Sequence, residues 1–195
     1  MNVSRPEPHQ KVPKEAKRVF EGVIYDVYQW QQKMFDGSTQ SFETLRKKKD
    51  SVVVIPVTVD GRIILLDQLQ PGWQSSLVGF VCGVIDSGEE PLAAAERELR
   101  EETGYKAAHC TLWSVRQFTG KTDWALYTFI AHGCEAVGEP AADGGEKLSV
   151  RYVSFDEMME IILKDDFRNP DVALSMLQMC AKSGGREALK KELGL

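Results

Sequence analysis

The sequence predicts an α/β protein: a mixed sheet with helices on both faces, preceded by an N-terminal antiparallel β layer. Three observations predict it. Period-two alternation in VFEGVIYDVYQW, QQKMF and SFETLR brackets an Asp36-Gly37 turn. The run SVVVIPVTV is apolar at nearly every residue, as in a strand covered on both faces. A helix-forming stretch, Glu89 to Thr103, then lies between the strand-like LVGFVCGVI and CTLWSVRQF, and such interleaving of helix and strand builds layered α/β domains.

Taken in order, residues 1–17 are polar, carry three prolines and lack periodicity, so they read as a flexible arm. Residues 18–50 form the N-terminal β layer, because Asp-Gly between two alternating runs is a strong hairpin signal. Residues 51–195 form the main domain. Its first strand, 51–59, turns at Asp60-Gly61 into RIILLDQLQ. The Lys47 to Lys49 run just before it reads as a solvated inter-strand loop, with phosphate binding as the other reading. LVGFVCGVI, the helix, CTLWSVRQF and WALYTFIA follow. Residues 132–148, rich in Gly, Ala and acids, read as a long loop, and loops of that length inside compact domains are usually functional. SVRYVSF returns as a strand. Ser154 with Glu157 can form a capping box for FDEMMEIILKD. Asn169-Pro170 opens a last helix, DVALSMLQMCAKS, which Gly184 ends. No internal repeat is present.

Bulk properties narrow the function. A chain of 195 residues suits one domain with a small extension and can bury its own core. Its 43% hydrophobic and 27% charged content places it among soluble globular proteins. The net charge of −5 argues against nucleic-acid binding, which needs a basic surface. An anionic ligand would therefore require metal ions or a local basic pocket. Cys82, Cys110, Cys134 and Cys180 show no CxxC spacing and read as free thiols of a reducing cytoplasm. No apolar run approaches the roughly 20 residues of a spanning helix, and the N-terminus lacks a signal-like stretch. The chain thus reads as cytoplasmic, with no membrane partner.

The segment GVIDSGEEPLAAAERELREETGY, residues 83–105, concentrates acids on a helix. At about 100° per residue, Leu92, Ala95 and Leu99 make one apolar stripe. Glu98 and Glu102 fall beside it, Glu101 lies one step further round, and Ala94 sits between Glu98 and Glu101 where it leaves room for a ligand. Glu96 and Arg100 point to water. Like charges three and four apart cost a few tenths of a kcal/mol each when exposed, and more when desolvated. A hard divalent cation reverses that sign. Magnesium prefers oxygen ligands and commonly bridges a carboxylate to a substrate phosphate, with manganese the alternative ion. Charge runs more often mark a solvated face, here with Arg97 and Arg100 as partners, so the rest of the pattern decides.

Gly83, five residues, Glu89, seven residues, Arg97-Glu98-Leu99, one residue, Glu101-Glu102, one residue and Gly104-Tyr105 match the Nudix box at each required position. At about 7% per residue type, seven fixed residues coincide by chance on the order of once in a hundred million windows. The sequence therefore resembles the Nudix hydrolase family. The resemblance implies an α/β/α sandwich and metal-dependent hydrolysis of a nucleoside diphosphate linked to another group. It implies Glu98 and Glu102 as principal metal ligands, Glu101 as ligand to a second ion, and the Cys82 carbonyl as a further donor. Arg97 would hold Glu89 or a neighbouring carboxylate in place, and Gly83 and Gly104 would permit close turns. A glutamate on a late loop would accept the proton. Glu146 is the candidate base, with Glu135, Glu139 and Asp143 competing.

The flanks FEGVIYDVYQW, FDGSTQSFETLRKKKDSVVVIPV, LLDQLQPG and NPDVALSMLQM resemble the ADP-ribose and nucleotide-sugar pyrophosphatase branch over residues 19 to about 180. That likeness implies a homodimer joined through the N-terminal layer. Gln70 stands where many relatives carry a substrate-contacting arginine, Gly120 and Lys121 where a proline is usual, and FVCG replaces PAG. These departures favour a nucleotide sugar or a broad substrate range. Trp30, Trp73, Phe118, Trp124 and Tyr127 are the aromatics available to stack a base or sugar, Trp124 and Tyr127 on a strand approaching the cleft. Two other readings stay open: a non-catalytic nucleotide-binding module, and a hydrolase of other nucleoside di- or triphosphate derivatives.

Overall fold

A computed structural model of the chain describes residues 4–118, 120–141, 145 and 147–195. The N-terminal layer consists of β1 (Lys17–Glu21), β2 (Tyr25–Lys33) and β3 (Thr39–Lys47), antiparallel in sequence, with the two-residue strand β10 (Thr122–Asp123) added parallel to β3. The hairpin turns at Asp36-Gly37. Gly37 takes φ +86°, and the Asp36 carboxylate accepts from both the amide and the hydroxyl of Ser38. The expected single run from Val19 to Trp30 is two strands, because Gly22 donates to the Tyr25 carbonyl and folds the chain back. A side chain at Gly22 would meet that carbonyl at 2.6 Å.

The second sheet carries eight strands. They are β4 (Ser51–Thr58), β5 (Ile63–Leu69), β6 (Leu77–Gly79), β7 (Val81–Val84), β8 (Tyr105–Lys106), β9 (His109–Gln117), β11 (Ala125–Ala136) and β12 (Lys147–Val153). Its path runs β12-β5-β4-β11-β8, with β6 on β5, β7 on β4 and β9 on β11. Among the described residues only strands β4 and β11 of this sheet pair in parallel, so the sheet is mixed. LVGFVCGVI divides at Phe80, which is fully buried, packs edge-on against Phe167 and donates its amide to the Asn169 side chain. The stretch read as a loop from residue 132 begins instead as strand. Glu135 and Ala136 stay in β11 because they pair with Lys106 and Tyr105.

Every residue of β4 is buried, and alternate side chains enter two cores. Val52 and Val54 pack with Ala94, Ala95 and Leu99 of α1 (Pro91–Thr103). Val53, Ile55 and Val57 pack with residues of three helices on the other face, α2 (Phe155–Ile161), α3 (Pro170–Cys180) and α4 (Gly185–Leu193). The layers are helix, sheet, helix. The Ser154–Glu157 capping box forms as the sequence predicts. Helix α4 is absent from the sequence reading. Its segment GREALKKEL is mostly charged, yet Leu189 and Leu193, four apart, are fully buried. Burying each contributes about 1.5–3 kcal/mol, enough to dock a short polar helix. Gly184, φ +69°, opens this helix rather than closing α3, which ends at Cys180. Among the described residues no helix is long and apolar enough to cross a membrane.

Candidate active site

Helix α1 is set between two devices. Pro91 opens it, and Gly104 closes it in a left-handed turn with φ +74°, donating to the Arg100 carbonyl at 2.8 Å. A side chain at Gly104 would lie 2.2 Å from the Gly138 carbonyl oxygen, so the close approach also demands glycine. Glu96 and Arg100 face water as expected. Ala94 does not leave room for a ligand: it is wholly buried in the core beneath the helix. The room lies on the side of β7. There a Cβ on Gly83 would sit 1.9 Å from the Glu98 carboxyl carbon, so glycine lets the carboxylate lie directly against the strand. One residue earlier, the Cys82 amide donates to Glu102 Oε2 at 3.1 Å.

Arg97 ties the acids together. Its Nε and Nη2 grip Glu89 at 2.9 and 3.0 Å, its Nη1 reaches Glu98 at 2.8 Å and Glu101 at 3.0 Å, and Nη2 also donates to the Val84 carbonyl. The hydrogen bond from Arg97 holds Glu89 below the usual carboxylate range. Glu98 goes the other way: burial pushes its pKa up, and the contact with Arg97 offsets this only in part. The crowding read from the sequence therefore persists in three dimensions. Among the described residues no three His, Cys, Asp or Glu side chains are gathered closely enough to hold a metal ion as they stand. Yet hard carboxylate oxygens, one of them desolvated against a glycine-lined strand, are the donor set that suits a hard divalent cation.

These acids line a cleft of about 440 Å³. Of the residues singled out in the sequence, Glu98, Glu101, Glu102, Cys82, Gly83, Gln70, Phe118 and Trp124 border it. Glu89 and Arg97 support it from behind, and Gly104 closes the far end of the helix. Burial raises the Cys82 thiol to about 11, which leaves it protonated and inert. Glu146 and Asp143, candidate bases, lie outside the described residues. Glu135 and Glu139 are exposed and do not border the cleft.

A model of the NUDIX domain matches residues 47–174. The chain belongs to the Nudix family. It is 29% identical over 150 residues to the ADP-ribose pyrophosphatase of Bacillus subtilis (strain 168), covering 76% of this chain and 77% of that one. It is 42% identical to the ADP-sugar pyrophosphatase of Mus musculus over 38% of this chain and 40% of that one. The crystal structure of an ADP compounds hydrolase superposes with a TM-score of 0.72 at 23% identity, covering 94% of this chain and 99% of that one. That likeness of fold takes in the N-terminal layer as well as the Nudix domain.

The Nudix cleft also contains Arg168 and Asn169, which the sequence did not mark as site residues, and Lys47, whose role the sequence left open. Lys47, read as part of a solvated loop with phosphate binding as the other reading, ends β3 with its ammonium over the Trp124 ring at 4.3 Å and its Nζ donating to Ser51 Oγ at 2.6 Å. Burial lowers its pKa. Phe118 stacks on Trp124 with centroids 4.1 Å apart and an interplanar angle of 7°. Trp124 thus contacts both the Phe118 ring and the Lys47 ammonium. Arg168 borders the cleft from the opposite flank of β4, donating to Gln68 and lying 5.7 Å from the Trp73 ring. Its neighbour Asn169, read only as a helix cap, donates to Cys82 Sγ at 2.9 Å. Tyr127 is core, not cleft, at 3% exposure. The clue to Lys47 was the basic run itself; nothing marked Arg168 apart from the helix start that follows it.

Proposed function

We propose that this Nudix protein hydrolyses the diphosphate of ADP-ribose or of nucleoside diphosphate sugars, releasing a nucleoside monophosphate and a sugar phosphate. The observation that carries this reading is the convergence of Glu98, Glu101 and Glu102 on one wall of a cleft that also presents Lys47 and Arg168. Anion-binding and cation-binding groups then share one space, as a metal-bridged diphosphate requires. Glu98, Glu101 and Glu102, with the Cys82 carbonyl, would hold magnesium, or manganese in its place. The bound ion supplies charge stabilisation at the phosphoryl oxygens and acidifies water.

This chain's own residues do the rest. Arg97 orients Glu98 and Glu101, and Lys47 and Arg168 offset phosphate charge that the net −5 of the protein would otherwise repel. Gln70 and Trp124 contact the substrate from the two flanks of β4. Water attacks one phosphorus, the bridging P–O bond breaks, and its electron pair leaves on the departing phosphate. Glu146 is our candidate for the proton acceptor: Lys147, next in sequence, pairs with Leu69, one residue from cleft-lining Gln70. Incubation with ADP-ribose, nucleotide sugars and nucleoside triphosphates plus magnesium should yield nucleoside monophosphate and sugar phosphate from the first two by chromatography. An unchanged panel would instead identify a nucleotide-binding module, and cleavage of triphosphates alone would identify a different Nudix activity.

The protein acts, in this reading, as a cytoplasmic homodimer joined through the N-terminal layer. Two features support it. Val19, Phe20, Val23 and Ile24 are exposed in that layer, Val23 at 95% exposure, apolar surface that a second subunit could cover. The four cysteines, moreover, are unbridged. Sedimentation should give twice the 21.8 kDa chain mass, and Val23→Asp should return the monomer.

A further inference from the structure

The N-terminal arm was expected to be free, yet one of its side chains is fastened beside the cleft. Arg5 Nε donates to Asp50 Oδ2 at 2.6 Å, and its Nη2 donates both to Asp50 Oδ1 at 3.1 Å and to Asp123 Oδ1 at 2.7 Å. The two acceptors are themselves anchors. Asp50 Oδ1 accepts the Ala125 amide at 2.9 Å. Asp123, only 4% exposed, also accepts from Arg46 Nε at 2.9 Å and from Gln117 Nε2 at 3.1 Å. Gln117 in turn uses its oxygen to accept the Trp124 amide at 3.0 Å, and its nitrogen also donates to the Pro6 carbonyl in the arm. The backbone amides of Trp124 and Ala125 are therefore each held by a side chain that Arg5 or its neighbour touches.

We propose that Arg5 is a positioning residue for substrate: its guanidinium straps Asp50 to Asp123 and so fixes the Trp124 wall of the cleft. The chemistry explains why arginine is used. A planar fork can join two carboxylates at once, whereas a lysine ammonium is a single point of charge. Without the strap, Asp50 loses its guanidinium partner and Asp123 is tied only to Arg46 and Gln117, so nothing joins the two carboxylates at the start of β11. Trp124 carries the consequence into the cleft, because its ring stacks on Phe118 and lies under the Lys47 ammonium, and its indole nitrogen donates to Ser51 Oγ at 3.3 Å. A shift of its backbone moves the aromatic wall and the lysine together. The acids of α1 are untouched, so binding is affected and the chemical step is not. This inference rests on the hydrolase reading above, since it takes the cleft as the substrate site.

The test compares full-length wild type, Arg5→Ala and Arg5→Lys by two measurements. The first is amide hydrogen exchange at Trp124 and Ala125, which needs no substrate. The second is steady-state hydrolysis of ADP-ribose. In Arg5→Ala both amides should exchange about tenfold faster while Ile55, in the centre of β4, is unchanged. KM should rise about tenfold with kcat within a factor of about two, the pattern of lost uniform binding. Arg5→Lys should fall between, since it keeps the charge and loses the fork. Unchanged exchange, or an unchanged KM in an active protein, overturns the strap. A fall in kcat equal to that in kcat/KM overturns it too, because that pattern marks a group acting in the transition state. Wild-type protein that cleaves neither ADP-ribose nor any nucleotide sugar of the panel would overturn the hydrolase reading itself and this inference with it.

Discussion

Replacing Glu102 by glutamine should lower kcat by about three orders of magnitude while leaving the fold intact. The side chain is 6% exposed and its Oε2 accepts the Cys82 amide. Glutamine has the same size and its amide oxygen can keep that hydrogen bond, so no cavity opens and the Cys82 amide stays paired. What disappears is a formal negative charge facing the cleft. A divalent cation at such a site contributes several kcal/mol of transition-state stabilisation. At about 1.4 kcal/mol per tenfold in rate, losing about 4 kcal/mol gives the stated factor. The measurement is single-turnover release of nucleoside monophosphate at saturating magnesium, beside a thermal melt. Glu96→Gln, on the exposed side of the same helix, is the control and should be near wild type. Activity of Glu102→Gln within tenfold of wild type, with a normal melt, would remove Glu102 from the metal site.

Features fixed by local rules could be read from the sequence. The Asp36-Gly37 hairpin, the two-faced burial of β4 and the Ser154–Glu157 cap each depend on residues a few positions apart. The same holds for the box, whose acids fall on one side of α1 because helical geometry puts them there. Features fixed by distant partners could not be read. The break at Phe80 depends on the side chain of Asn169, 89 residues away, and the entry of Lys47 into the cleft depends on Trp124 and Ser51. Ala94 was assigned to the ligand from its angle on a helical wheel, but only the packing of β4 and β11 shows that this angle faces the core. Arg5 is the extreme case. Nothing within the polar arm distinguishes it, and its acceptors Asp50 and Asp123 lie 45 and 118 residues further on.

Arg97→Lys separates the two roles that an arginine in this position could play. One side chain here serves Glu89, Glu98, Glu101 and the Val84 carbonyl. A lysine retains the charge but has a single ammonium, which cannot span the acceptors that the planar guanidinium fork reaches. Glu89 would then lose its paired hydrogen bonds, and Glu98 and Glu101 would lose the group that sets their orientation. If Arg97 works by holding ligands, the apparent affinity for magnesium should fall about 10- to 100-fold, the usual cost of disturbing groups that orient metal ligands. Much of kcat should return at saturating metal. A direct contact with the transition state would leave a loss of kcat that no metal concentration restores. Titrating activity with magnesium at fixed ADP-ribose distinguishes the outcomes. We expect recovery, because neither Arg97 nor the Glu89 it grips is among the groups that border the cleft.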